Sequence, residues 1–101
     1  MTAEPDEEPT MVVFRRWPKT QGGDVVALFP LLSEGPGLCA CYAHVGQHGQ
    51  ANYTHVMNAT RPTNFLASDV QALAEELRSI GYVLQVRQRA PSWRKRRRVA
   101  P

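Results

Sequence analysis

Both cysteines and all three histidines of the chain fall within seventeen residues, Cys39-Ala-Cys-Tyr-Ala-His44-Val-Gly-Gln-His48-Gly-Gln-Ala-Asn-Tyr-Thr-His55, directly after a Gly-Pro-Gly turn. Thiolate and imidazole together suit zinc, and Cys39, Cys41, His44 and His48 would supply four ligands. Spacing argues against such a site. Structural zinc takes paired Cys-x-x-Cys or His-x-x-x-His spacings from separated segments, and on a continuous strand His44 points away from Cys39 and Cys41. The cysteines therefore read as small buried residues beside loop histidines, with no metal and no cofactor expected. No carboxylate pair or serine-base arrangement stands out, and His48 as a general base rests only on its glycine-rich surroundings. An enzyme is not expected. Gly46-Gln-His-Gly49 permits a tight loop that presents Gln47 and His48, but it lacks the further glycine, lysine and helix start of a phosphate cradle.

Charge is segregated along the chain. The net value is only +3, yet Glu4, Asp6, Glu7 and Glu8 crowd the front, while Arg94, Lys95, Arg96, Arg97 and Arg98 crowd the end. Low hydrophobicity, proline and like charge predict a disordered acidic arm over residues 1–10 and a disordered basic tail over residues 90–101. A single domain over residues 11–89 lies between them. Trp93 followed by five cations can condense on phosphate with salt-sensitive, sequence-independent affinity, or can simply solubilise the chain. No apolar run approaches the roughly 20 residues that span a bilayer, and the front lacks the basic and apolar regions of a secretory signal. No membrane contact, free thiols and a cytoplasmic location follow as expectations.

The elements that position these residues read as β-β-β-loop-α-β. Met11-Val-Val-Phe-Arg-Arg-Trp17 and Val25-Val-Ala-Leu-Phe29 are β-branched and aromatic and flank a Gln21-Gly-Gly-Asp24 turn, a hairpin pattern. Leu38-Cys-Ala-Cys-Tyr-Ala-His-Val45 continues as a third strand. Residues 46–65 mix Gly, Asn, Thr, His and Pro without a clear period and read as a structured loop, with Tyr53-Thr-His-Val-Met57 open to a short strand or a helical turn. Val70, Leu73, Ala74, Leu77 and Ile80 recur at helical spacing, so a helix runs from Ser68 to Ile80 and stops at Gly81. Ser68 with Gln71 has capping-box spacing, and Glu75 can pair with Arg78. Tyr82-Val-Leu-Gln-Val-Arg87 alternates as a last strand, parallel to the first and beside it by the right-handed crossover rule. The fold class is α+β: a four-stranded, mostly antiparallel sheet with one helix on one face.

A helix of about twelve residues is roughly 18 Å long and cannot cover both faces of such a sheet. If Val12 and Phe14 face the helix, alternation gathers Arg15, Trp17, Tyr42, His44, Arg87 and Arg89 on the open side, with Cys39 and Cys41 on the core side. Cations among flat rings suit single-stranded nucleic acid, which needs charge for phosphate and π-faces for unstacked bases. The competing account covers Trp17 and Tyr42 with the long loop. A second copy capping the aromatic patch would give a homodimer.

Val-Val-Phe-Arg-Arg16, Asp24-Val-Val-Ala-Leu-Phe-Pro30, Cys39-x-x-Tyr42-x-His44-Val-Gly-Gln-His48-Gly and Leu77-x-x-Ile80-Gly-Tyr82 resemble a family of small uncharacterised bacterial proteins carried by phages and other mobile elements. The resemblance covers about residues 12–89 and implies a context with no known activity. Cys41 stands where that pattern usually has serine, which counts against a metal site needing both thiols. The combined expectation is a non-enzymatic accessory protein that binds single-stranded nucleic acid through the open face and the arginine tail. The alternative is a protein-interaction module acting on a host enzyme or defence complex.

Overall fold

The computed structural model describes residues 9–43 and 47–90. The expectations for His44, for nearly all of the acidic arm and for the tail cations Arg94, Lys95, Arg96, Arg97 and Arg98 lie outside the described residues.

The first strand, β1 (Thr10–Arg16), stops where Trp17 meets Pro18. A single 3-10 turn at Lys19–Gln21 then reverses the chain through Gly22 and Gly23, both at positive φ (105° and 72°), where a side chain would be strained. β2 (Val25–Gly35) returns antiparallel to β1, with Val13 opposite Leu28, and β3 (Leu38–Ala43) turns back along β2. Pairing of β2 with β3 jumps from Phe29–Ala40 to Ser33–Cys39, so Pro30, Leu31 and Leu32 bulge out of the ladder.

Most of the stretch expected to be a loop is regular, and Tyr53 to Met57 take the helical alternative. β4 (Gln47–Asn52) pairs antiparallel with β3, α1 (Tyr53–Ala59) follows at once, and β5 (Arg61–Pro62) pairs with Arg15 and Arg16. Then come α2 (Ser68–Ser79) and β6 (Leu84–Arg87), which lies parallel to β1 and beside it, as the crossover rule requires. The class is α+β, with six strands rather than four and two α-helices rather than one among the described residues. No helix among the described residues is long and apolar enough to cross a membrane.

α2 buries Val70, Leu73, Ala74 and Leu77 against Val12, Phe14, Ala27 and Phe29, four of the five residues of the expected stripe; the fifth, Ile80, is the C-cap and is exposed. Its start differs from the capping-box expectation. Ala67 is the N-cap, no side chain caps it, and Gln71 Nε2 donates instead to the Phe65 carbonyl at 2.7 Å, tying the helix to the loop that precedes it. Glu75 does pair with Arg78, at 3.0 Å. At the other end Gly81, at φ 112°, lets the Tyr82 amide return to the Leu77 carbonyl, so Tyr82 stacks on Phe29 with centroids 5.1 Å apart.

The opposite face is not open. Val13, Val26 and Leu28 meet Val56 of α1 in a second buried cluster, with Trp17, Cys41, Tyr53 and Met57 packed around it. The missing cover was the segment whose polar composition hid a helix of seven residues with one fully apolar contact.

Apolar packing and an ion pair both join β1 to α2, and their sizes differ. Leu77 is fully buried, and truncation to alanine costs about 2–5 kcal/mol. The bidentate Arg16–Asp69 pair, both contacts 2.8 Å, is solvent-screened and contributes roughly 0.2–1 kcal/mol. Packing holds α2 and sets its rotation, and the ion pair adds a minor contact at its first turn. The Arg16 guanidinium holds Asp69 below the usual carboxylate range. Stability from this pair is therefore present above about pH 4 and is lost as pH falls through the lowered folded-state value. Asp69→Asn is expected to lower stability slightly at neutral pH and to flatten its decline in acid, measured by urea unfolding across the acid range; an unaltered acid decline would show the pair to be inert.

Candidate nucleic-acid interface

Arg15 is 8% exposed, and no carboxylate lies within ion-pair distance of it among the described residues. Its guanidinium instead closes the C-terminal end of α1. Nη2 donates to the carbonyls of Met57 at 3.0 Å and Thr60 at 2.8 Å, and Nε donates to Thr60 Oγ1 at 3.0 Å. Those carbonyls are the orphaned acceptors of a helix end, and a cation there also meets the negative pole of the helix dipole. Burial pushes the guanidinium below its ordinary pKa, the Tyr53 phenol acts the other way, and the charge of Arg89 adds to the depression. Arg15 is thus a fastener of α1 and not a free contact for a ligand.

Trp17 lies on the α1 side, as alternation requires, but packs half-buried on the second cluster. Tyr42 departs from its expected place altogether. It pairs with Ala27 and shares the face of Ala27, Phe29 and α2, where it is 1% exposed. Its hydroxyl donates to Glu76 on α2. Cys39 and Cys41 take the opposite side, so every residue of β3 is inverted relative to the expectation. The physical reason is volume: tyrosine fills the space above Ala27 that the small Cys41 would have left empty. Glu76 escaped the reading of the sequence, although its place between Leu73 and Leu77 at the rim of the helix stripe marks it as a group that can reach inward.

His48 sits opposite Tyr42 on β4 and meets the tyrosine ring edge-on at 4.6 Å between centroids, while Gln47 is exposed next to it at the start of that strand. Neither joins the basic residues across the sheet. Burial pushes both thiols above their usual pKa, away from the thiolate that metal binding and nucleophilic attack require. Among the described residues, no three His, Cys, Asp or Glu side chains converge as a metal site.

The structure does bring together Arg87, Arg89 and the root of the tail. Arg87 pairs with Val13 and so faces the α1 side, Arg89 follows it with its charge felt at Arg15, and both are exposed. No carboxylate pairs with either among the described residues. The chain then turns under α1, and the buried Ala90 donates its amide to the Tyr53 hydroxyl at 2.7 Å. No family model, curated protein or solved structure matches this chain. The site is defined by its own geometry: an unneutralised cationic margin on the α1 side, continuous in the chain with the segment that carries Arg94 to Arg98.

Arg15→Met keeps much of the stem and removes the fork. It is expected to cost about 1–3 kcal/mol, the penalty for leaving buried carbonyls unpaired, and to speed amide exchange in α1 more than in α2. Arg15→Lys restores charge without the two-pronged geometry and should recover only part. Unchanged protection of α1 in Arg15→Met would overturn the fastening role.

Proposed function

We propose that the chain is a small non-enzymatic accessory protein of a phage or other mobile element that binds single-stranded nucleic acid. Contact is made by the cationic margin at Arg87 and Arg89 together with the arginine tail. The observation that carries this reading is the tie between Ala90 and Tyr53, which makes the tail start beside two exposed, unneutralised arginines. Cations gathered there act on one stretch of phosphate backbone and release its counterions together. The sheet itself is not the binding platform, since α1 covers it. The resemblance of residues 12–89 to proteins of mobile elements supplies the context, and the raised pKa values of both thiols support a role without covalent chemistry.

A protein-interaction module acting on a host enzyme or defence complex is the second reading. It is favoured by the bulge that leaves Leu31 and Leu32 52% and 39% exposed. A protein partner retained after nuclease treatment and released by Leu31→Ser with Leu32→Ser would prefer it.

The test of the first reading is binding of a short labelled single strand over a salt series. The intact chain should bind at low salt and weaken steeply as salt rises. Replacing Arg87 and Arg89 by glutamine should shrink the slope of log K against log salt by about 1.4, roughly 0.7 for each phosphate no longer neutralised. No affinity of the intact chain at low salt would end the proposal.

A further inference from the structure

On the same side of the sheet, the hairpin of β2 and β3 and the start of α1 enclose an open groove of about 610 Å³. That volume lies within the roughly 300–1,000 Å³ usual for clefts that hold small ligands. Its lining carries no Asp, Glu, Lys or Arg. Ser33 comes from the hairpin, and Asn52, Thr54, His55 and Asn58 come from the opposite wall, so amides, hydroxyls and an imidazole face one space. Asn52 spends its Oδ1 on capping α1, accepting from the His55 amide at 2.9 Å, which leaves its Nδ2 protons. Among the described residues, the side chains of Thr54, His55 and Asn58 form no intramolecular hydrogen bond.

These properties select a ligand class. A phosphate or carboxylate would find no cation in the lining, and a metal ion would find one imidazole and a thiol, Cys39, that burial keeps protonated. A flat neutral group with several donors and acceptors on its edge satisfies the walls. Position narrows the class further. Tyr53 lines the groove and, through its hydroxyl, holds Ala90, so one residue links the neutral groove to the root of the cationic tail. A strand held where the tail begins is one residue, Tyr53, away from the groove.

We infer that this groove receives an unpaired nucleobase of the bound strand, whose edge is read by Asn52, Thr54, His55 and Asn58 while the phosphates stay with the arginines. The inference rests on the function proposed above and divides the work of the site: charge supplies affinity, and the groove supplies a preference for strands that carry bases. An extended peptide is the other neutral occupant of suitable shape, but nothing would then join the groove to the cationic tail.

The test compares two labelled single strands of equal length and charge, one ordinary and one in which every base is replaced by an abasic sugar, with the full chain over a salt series. The ordinary strand is expected to bind about tenfold more tightly with the same salt slope, the size of a base held by direct contact. Asn58→Ala combined with His55→Ala should erase the difference and leave the abasic strand's affinity unchanged, with the amide NMR dispersion of the intact chain retained to show that the variant is folded. NMR signals of Thr54 and Asn58 should shift with the ordinary strand only. Equal affinity of the intact chain for both strands would overturn the groove assignment and leave the cationic reading standing. Failure of both strands to bind at low salt would overturn the two together.

Discussion

A guanidinium buried beneath a helix end holds the second layer of this protein in place. α1 has seven residues, too few to persist alone in water, where helices shorter than about 12–15 residues are marginal. It is held by a side chain at each end, Asn52 at the first turn and Arg15 at the last, and by Val56 on the sheet between them. Arg15 gives up hydration without an acidic neighbour, so its three hydrogen bonds must replace the water it has lost. Release α1, and Val13, Val26 and Leu28 face solvent together. The layer that covers the sheet, the groove and the seat of Ala90 all depend on that fork.

Strong periods were legible in the sequence; contacts that cross them were not. α2 could be read because five apolar residues recur at helical spacing, four of them buried, and β6 because Tyr82 to Arg87 alternate, although the strand itself starts only at Leu84. Handedness then placed β6 beside β1 without further information. α1 was obscured because Val56 alone is buried there and the flanking Asn52 and Thr60, ordinary turn and strand residues, here serve as its caps. Tyr42 was misplaced for a related reason. β2 is apolar on both faces, so its pattern could not say which side of β3 the phenol should take; Ala27, the smallest residue opposite, decided it.

The basic residues show how little a formal charge says before its surroundings are known. Arg15, Arg16, Arg87 and Arg89 stand close in the fold, yet they have three different fates. Arg15 is consumed by backbone carbonyls, Arg16 by Asp69, and only Arg87 and Arg89 remain outward and unpaired. Alternation separated them correctly into two faces; partner chemistry then separated the structural cation from the available ones. The neutral groove adds that residues close in sequence are divided by the fold: Cys39 and His55 line it, while His48 packs against Tyr42 on the other side of the sheet.

Parallel pairing of β1 with β6 sets where the chain enters and leaves the sheet. The four leading carboxylates join the domain at Thr10, level with Leu84, while the chain leaves β6 past Arg87 toward Arg89, whose charge reaches Arg15. Five residues of strand separate Thr10 from Arg15, roughly 17 Å at about 3.3 Å per residue, or near two Debye lengths in physiological salt. A charge at the level of Thr10 is therefore largely screened from one at the level of Arg15, and the cation of Arg89 keeps its field whatever charge stands at the start of β1.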